Sequence, residues 1–307
     1  MPVRRKRPSA QKKPERAPLP PREGTEQPTT VDELWPGVSD DPGWSPPTPK
    51  INTLVENSAR RYDYWLGGKD HYPVDRESGD AIEAMFPSIR TAAIENRRFL
   101  GRAVRILAGR LGVRQFLDIG TGLPSAGNTH EVAQQMVPDC AVVYVDHDPL
   151  VMAHARALLA SITRAGVTDY IEADLRDPAR ILKEAAETLD VRQPIALLLV
   201  AVLHFIPDAD DPYGVVARLV AGLPAGSYLV VSHATSEDVS EEVTARAAVG
   251  SAPVWLRSRE DIARFFDGLD LLPPGLVSTV QWRAEYETQP RPTAAEVATY
   301  CGIGWIP

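Results

Sequence analysis

Nine consecutive apolar residues, Ile195 to Leu203, set the strongest constraint on the fold. A run this short cannot span a bilayer, which needs about 20 apolar residues. It is apolar on both alternating faces, as a strand must be when helices cover a parallel sheet from both sides. Similar short runs recur before it at Gln115–Ile119, Ala141–Val145 and Tyr170–Ala173, and after it at Ser227–Ser232. Helical patterns fall between them, near Thr129–Met136, Leu150–Arg164, Ala179–Leu189 and Val215–Leu223. Asn128, three residues before Glu131, supplies a helix N-cap. Strands alternating with helices argue for an α/β fold: a mostly parallel sheet with helices on both faces.

Two regions flank this alternation. Upstream, Thr91 to Arg110 reads as a helix whose apolar face carries Ile94, Phe99, Val104 and Leu107. Downstream, Ser258 caps a helix bearing Ile262, Phe265, Phe266 and Leu269. Asp270–Leu272 and Leu276–Trp282 then read as two strands around the turn Pro273-Pro274-Gly275, so the sheet is expected to end in an antiparallel pair.

Composition separates a tail from this body. Residues 1–50 hold 12 of the 28 prolines and a formal charge of +2, against −10 for the remainder. With few spaced apolar residues, that segment cannot offset its ordering entropy and is expected to be a disordered tail, basic at its start. The expected organisation is therefore one domain, 51–307, made of a helical cap or lid (51–114) and a core (115–307). The acidic body argues against nucleic acid as a bulk-charge partner. Arg4-Arg5-Lys6-Arg7 is followed by polar residues, not an apolar h-region, so it does not read as a secretory signal. Cys140 and Cys301 lack metal-ligand spacing and read as free thiols of a cytoplasmic protein with no bound metal.

The chemistry-bearing pattern is a row of acids where strands end. Phe116-Leu117-Asp118-Ile119-Gly120-Thr121-Gly122 is a strand carrying an acid and opening into a glycine turn. Ligands of open α/β sheets bind at that edge, and glycine permits close backbone approach. Asp146 ends the next strand, where an acid accepts hydrogen bonds from ribose hydroxyls. Asp174 follows the third, placed for an adenine amino group. A nucleoside cofactor is the functional reading; ordinary turns with capping acids are the alternative. Between NAD(P) and S-adenosylmethionine, the third glycine of the dinucleotide fingerprint is replaced by Ser125, after Pro124. An acid two residues before the first glycine suits a cofactor with an ammonium group better than a diphosphate.

These motifs resemble those of class I S-adenosylmethionine methyltransferases. More closely, Arg60 to Asp70, Arg90-Thr91-Ala92 with Asn96-Arg97, Asp118 to His130, Asp174 to Pro178 and Leu203 to Asp208 resemble the actinobacterial "S-adenosyl methyltransferase" family over about 51–307. The resemblance implies a Rossmann-like seven-stranded sheet, order 3-2-1-4-5-7-6 with strand 7 antiparallel. It implies S-adenosyl-L-methionine as cofactor, with Gly120, Thr121 and Gly122 beneath it and Asp118 near its amino acid end. Asp146 would hold the ribose, His147, Asp148, Asp174 and Leu175 would border the adenine, and Ala201 to His204 would face the sulfonium. Pro124 departs from the broader superfamily, which commonly has a third glycine there.

Two further candidates concern the acceptor, expected to be a small molecule. His204 follows the fourth strand and reads as a general base, its ordinary pKa of about 6.5 suiting proton transfer; a packing histidine is the alternative. His233 is a weaker candidate of the same kind. Tyr62, Asp63, Tyr64 and Lys69 lie in an aromatic-rich block that reads as a lid hinged near Gly67-Gly68, with Tyr64 also catalytic. A non-catalytic S-adenosylmethionine-binding regulator is the rival reading.

Overall fold

The computed structural model describes residues 52–307 apart from 159–161, 238, 250, 251 and 286. The expected tail over 1–50, and part of the helix expected at Leu150–Arg164, lie outside the described residues. Three helices come first: α1 (Ser58–Trp65), α2 (Pro73–Met85) and α3 (Ile89–Gly109). The alternation then runs β1 (Gln115–Ile119), α4 (Thr129–Met136), β2 (Ala141–Asp146), α5 (Pro149–Leu158), β3 (Val167–Glu172), α6 (Pro178–Ala185) and β4 (Ile195–Val200). It continues with α7 (Pro212–Ala221), β5 (Tyr228–Ala234), α8 (Glu241–Ala247), α9 (Arg259–Ala263), β6 (Asp270–Leu271), β7 (Val277–Ser278), α10 (Ala294–Val297) and β8 (Thr299–Trp305).

The sheet order is β3-β2-β1-β4-β5-β8-β6. The first five strands are parallel, and β8 runs antiparallel to β5. The expected order and reversed strand are therefore present, but a different segment supplies that strand. Thr299–Trp305 fills the place expected of Leu276–Trp282. β6 and β7 each pair with β8 and not with each other. The physical reason lies in Trp282, which is fully buried in a turn and not at a strand end. Its ring meets Phe99 edge-on at 5.5 Å. Arg102 of α3 donates to the Trp282 and Thr279 carbonyls and pairs with Glu287, fastening this segment to the helix.

The period of two along each strand sorts side chains between two cores. Leu117, Ile119, Leu197, Leu199, Leu229 and Val231 face α6, α7 and α9. Phe116, Val142, Ala196, Leu198 and Val230 face α3, α4 and α5. On α3, Phe99, Val104 and Leu107 are buried as expected, whereas Ile94 is 42% exposed. Cys140 and Cys301 are free, buried thiols. Among the described residues no helix is long and apolar enough to cross a membrane.

Removing a buried tryptophan costs about 3–5 kcal/mol. Trp282→Ala is expected to lose that much in urea-induced unfolding. A loss below 1 kcal/mol would contradict the anchoring role of this turn.

Candidate functional site

The carboxyl ends of the parallel strands open into a cavity of ≈870 Å³, roofed by α1, α2 and α3. Asp118, Gly120, Thr121, Gly122, Asp146, His147, Asp148, Asp174, Leu175, Ala201 and His204 all line it. Eleven candidates scattered over 87 positions of sequence thus meet at one place. Tyr62 and Asp63 line it from the cap.

Gly120 is fixed by space and by backbone together. Its φ is +76°, and a Cβ there would lie 2.4 Å from Val202 Cγ2. Its N–H continues the β1–β2 ladder by donating to Val145 O, and Gly122 N–H donates to Asp146 Oδ2 at 2.9 Å. Asp146 Oδ1 accepts the Asp148 N–H, so each carboxylate oxygen keeps a lone pair free for a ligand. Burial raises the Asp146 pKa, against these backbone hydrogen bonds.

Asp118 is strongly perturbed by its burial. Burial pushes its carboxyl up to about 6, although the Thr129 hydroxyl donates to it at 2.6 Å and the Arg97 charge is nearby. It is ionised at neutral pH with its desolvation only partly compensated, a state that a ligand cation would relieve. Arg97 itself donates to the carbonyls of Ala126 and Gly127 at the end of the glycine loop. Beside it, the Glu131 carboxylate accepts the Gly127 and Asn128 N–H groups, which confirms the helix start expected at Asn128.

Asp174 sits differently. It is held below its ordinary range by a bidentate pairing with Arg176, at 2.6 and 3.0 Å, and Arg176 also reaches Asp210. His147 is exposed beside Asp146. Asp148 joins the sheet to the cap, accepting Leu150 N–H at the start of α5 and the Asn57 side-chain amide at 2.6 Å.

His204 lines the cavity in a buried setting. Burial, with the Arg257 charge, holds its pKa down to about 3, so it is a neutral and poor proton acceptor at pH 7. The same burial, with the neighbouring His204 and Arg257, holds His233 well below its ordinary value. Arg257 was invisible as a site residue in the sequence. It is buried and donates to the carbonyls of Leu203 and Ile206, to His233 Nε2 at 2.8 Å and to Asp208 at 2.7 Å, clamping the segment after β4. Its only advance signal is its place just before the Ser258 cap.

Tyr64 and Lys69 do not join the site. Tyr64 turns away: its hydroxyl donates to Asp80 and its ring lies 4.4 Å under the Arg90 guanidinium. Lys69 is exposed outside the cavity. Gly67-Gly68 is not a free hinge. Gly67, with φ +79°, terminates α1, and a Cβ on Gly68 would strike the Asp63 carboxylate at 1.9 Å. Asp63 locks this turn by accepting Asp70 N–H and contacting His71 Nδ1. Tyr62 instead reaches inward, donating to Ala93 O and accepting from Asn96.

A parallel sheet in this order, with one reversed strand and acids at the ends of its first three strands, defines a class I S-adenosylmethionine-dependent methyltransferase. Residues 45–307 match the model of the S-adenosyl methyltransferase family, and the chain belongs to that family. It is similar to a crystal structure of a DUF574 family protein from Streptomyces avermitilis, with 43% identity, TM-score 0.80, and coverage of 83% of this chain and 99% of that one. A putative methyltransferase from Thermobifida fusca matches at 37% identity and TM-score 0.77, covering 86% and 99%. A carboxy-S-adenosyl-L-methionine synthase from Trichlorobacter lovleyi is 23% identical over 165 residues, 53% of this chain. The chain spans 62% of the length of that curated relative.

Because His204 and His233 are held neutral, neither ring is expected to titrate between pH 8 and 5 in an NMR titration of the histidine ring protons. A midpoint between 6 and 7 for either would contradict the buried, Arg257-flanked environment.

Proposed function

We propose that this chain transfers a methyl group from S-adenosylmethionine to a small-molecule acceptor in the cytoplasm. The observation that carries the reading is the convergence of Asp118, Asp146 and Asp174 on one cavity beside the Gly120 approach. The residues suit the cofactor chemically. Asp146 has free lone pairs for a ribose diol, and Asp118 is a buried carboxylate short of a cation, as an ammonium group requires. When bound, S-adenosylmethionine supplies a methyl group on a sulfonium leaving group.

The chain's own part is binding, orientation and water exclusion. Gly120, Thr121 and Gly122 support the amino acid end together with Asp118. His147, Asp148, Asp174 and Leu175 border the adenine. Ala201, whose φ is +56°, places the backbone after β4 against the transfer site. With His204 so weak a base, catalysis rests on alignment within the cavity and not on a histidine base. A volume of ≈870 Å³ falls within the range of about 300–1,000 Å³ common to small-molecule sites. The buried free thiols support a reducing, cytoplasmic setting.

Release of S-adenosylhomocysteine from methyl-labelled cofactor, with label appearing in a small-molecule fraction of cell extract, tests the reading. Binding without any transfer would favour a regulator. Ionisation of Asp118 also gives the affinity a pH dependence. The carboxyl is mostly protonated below about pH 6 and must ionise to hold an ammonium group, so affinity rises with pH. S-adenosylhomocysteine should bind roughly tenfold more tightly at pH 7 than at pH 5, and Asp118→Asn should flatten that slope in calorimetry. A slope unchanged in the variant would place the ammonium group elsewhere.

A further inference from the structure

Four arginines of the described residues are buried: Arg60, Arg61, Arg102 and Arg257. Three have a carboxylate at ion-pair distance, namely Asp75 at 2.9 Å, Glu287 at 3.0 Å and Asp208 at 2.7 Å. Arg61 has none among the described residues. Its guanidinium donates to the Ser78 hydroxyl at 3.0 Å and to the Ala252 carbonyl at 3.1 Å, both neutral acceptors. Its Nε is buried without a hydrogen-bond partner. Burial lowers its pKa, while Glu56 and Asp75 offset its charge from longer range.

A buried guanidinium without a carboxylate carries a large desolvation cost, and chains normally satisfy such a group with an anion. Arg61 lines the cavity, and so do both of its partners, Ser78 and Ala252. Its surroundings are those of the cap: Ser78 belongs to α2, and Ala252 precedes α9. Neither comes from the strand-end loops around Gly120 and Asp146, where the acids gather. The same part of the cavity is walled by Ile82, Met85 and Phe86 from the α2 side and by Val243 and Val254. Arg61 thus lies in the cap-side part of the cavity beside apolar side chains, with Arg246 and Glu56 also on the lining.

We propose that the methyl acceptor is an organic acid with an apolar body, its carboxylate anchored by Arg61. The inference rests on the proposed function, because it divides the cavity between cofactor and acceptor. An arginine presents parallel N–H donors that match a carboxylate bidentately, and the Ser78 hydroxyl adds to that set. The carboxylate is an anchor; the apolar walls hold the rest of the molecule between Arg61 and the strand ends.

Calorimetry on wild-type protein saturated with S-adenosylhomocysteine tests this with benzoate, phenylacetate, 3-phenylpropionate and 4-hydroxybenzoate, each against its primary amide. At least one acid is expected to bind, with its amide tenfold or more weaker. Arg61→Gln is expected to weaken that acid at least tenfold and leave S-adenosylhomocysteine affinity within twofold, with Arg61→Lys recovering part of the loss. An amide that binds as well as its acid, the absence of binding by every acid, or an acid affinity unchanged in Arg61→Gln would overturn the proposal. The acid–amide comparison uses wild-type protein alone, so it decides the matter even where a variant fails to fold. Failure of wild-type protein to bind S-adenosylhomocysteine would overturn the cofactor assignment instead, and the same comparison on the free protein would still judge Arg61.

Discussion

The side-chain amide of Asn96 holds the cap to the sheet. It accepts the Ser232 hydroxyl at 2.6 Å and donates to the Tyr62 hydroxyl at 2.9 Å. Ser232 in turn accepts the Ala201 N–H at 3.0 Å, where the chain turns sharply after β4. One buried residue on α3 therefore links α1, the end of β5 and the end of β4. Inside a protein such a connected network is strong because each member is satisfied, and each would be costly to leave unpaired. Asn57 repeats the arrangement at the other end of the site by donating to Asp148 while capping α1. The roof and floor of the cavity are thereby fixed relative to each other, which favours a preformed site over a lid swinging on Gly67-Gly68.

Electrostatics divide that preformed space. The strand ends carry acids, and one of them, Asp118, stays short of compensation. The cap side carries Arg61, a buried cation whose hydrogen-bond acceptors are neutral. Behind β4 and β5, Arg257 neutralises no acid of the row; burial, with the arginine charge as a lesser contribution, keeps the two nearby histidines unprotonated. A methyl donor bearing an ammonium group and a sulfonium fits the acidic half. With His204 neutral, no imidazolium at that part of the cavity wall opposes a bound cation.

Much of this was legible in the sequence, and the physical reasons for what was not are specific. Strands covered on both faces announce themselves as apolar runs, so β1, β2, β4 and β5 were readable, as were the acids at the ends of the first three strands. The antiparallel edge was misread because Leu276–Trp282 is apolar for a different reason: Trp282 packs onto Phe99 in a turn, while Thr299–Trp305, containing two glycines, fills the strand position. Tyr64 and Tyr62 differ by two residues on one helix, and helical geometry sends them to different faces. Composition could not tell which faced the cavity. The histidine reading started from an unperturbed ring, whereas burial, together with the charge of Arg257 53 positions away, lowers its pKa. Such long-range contacts leave no local pattern.

A crystal structure with S-adenosylhomocysteine tests the central claim most directly. The expected result is one ligand in the cap–sheet cavity, its ribose hydroxyls on Asp146, its ammonium group within hydrogen-bond reach of Asp118, and the Arg61 side of the cavity open. A ligand bound outside this cavity, or one lying across Arg61 with Asp146 untouched, would contradict the assignment.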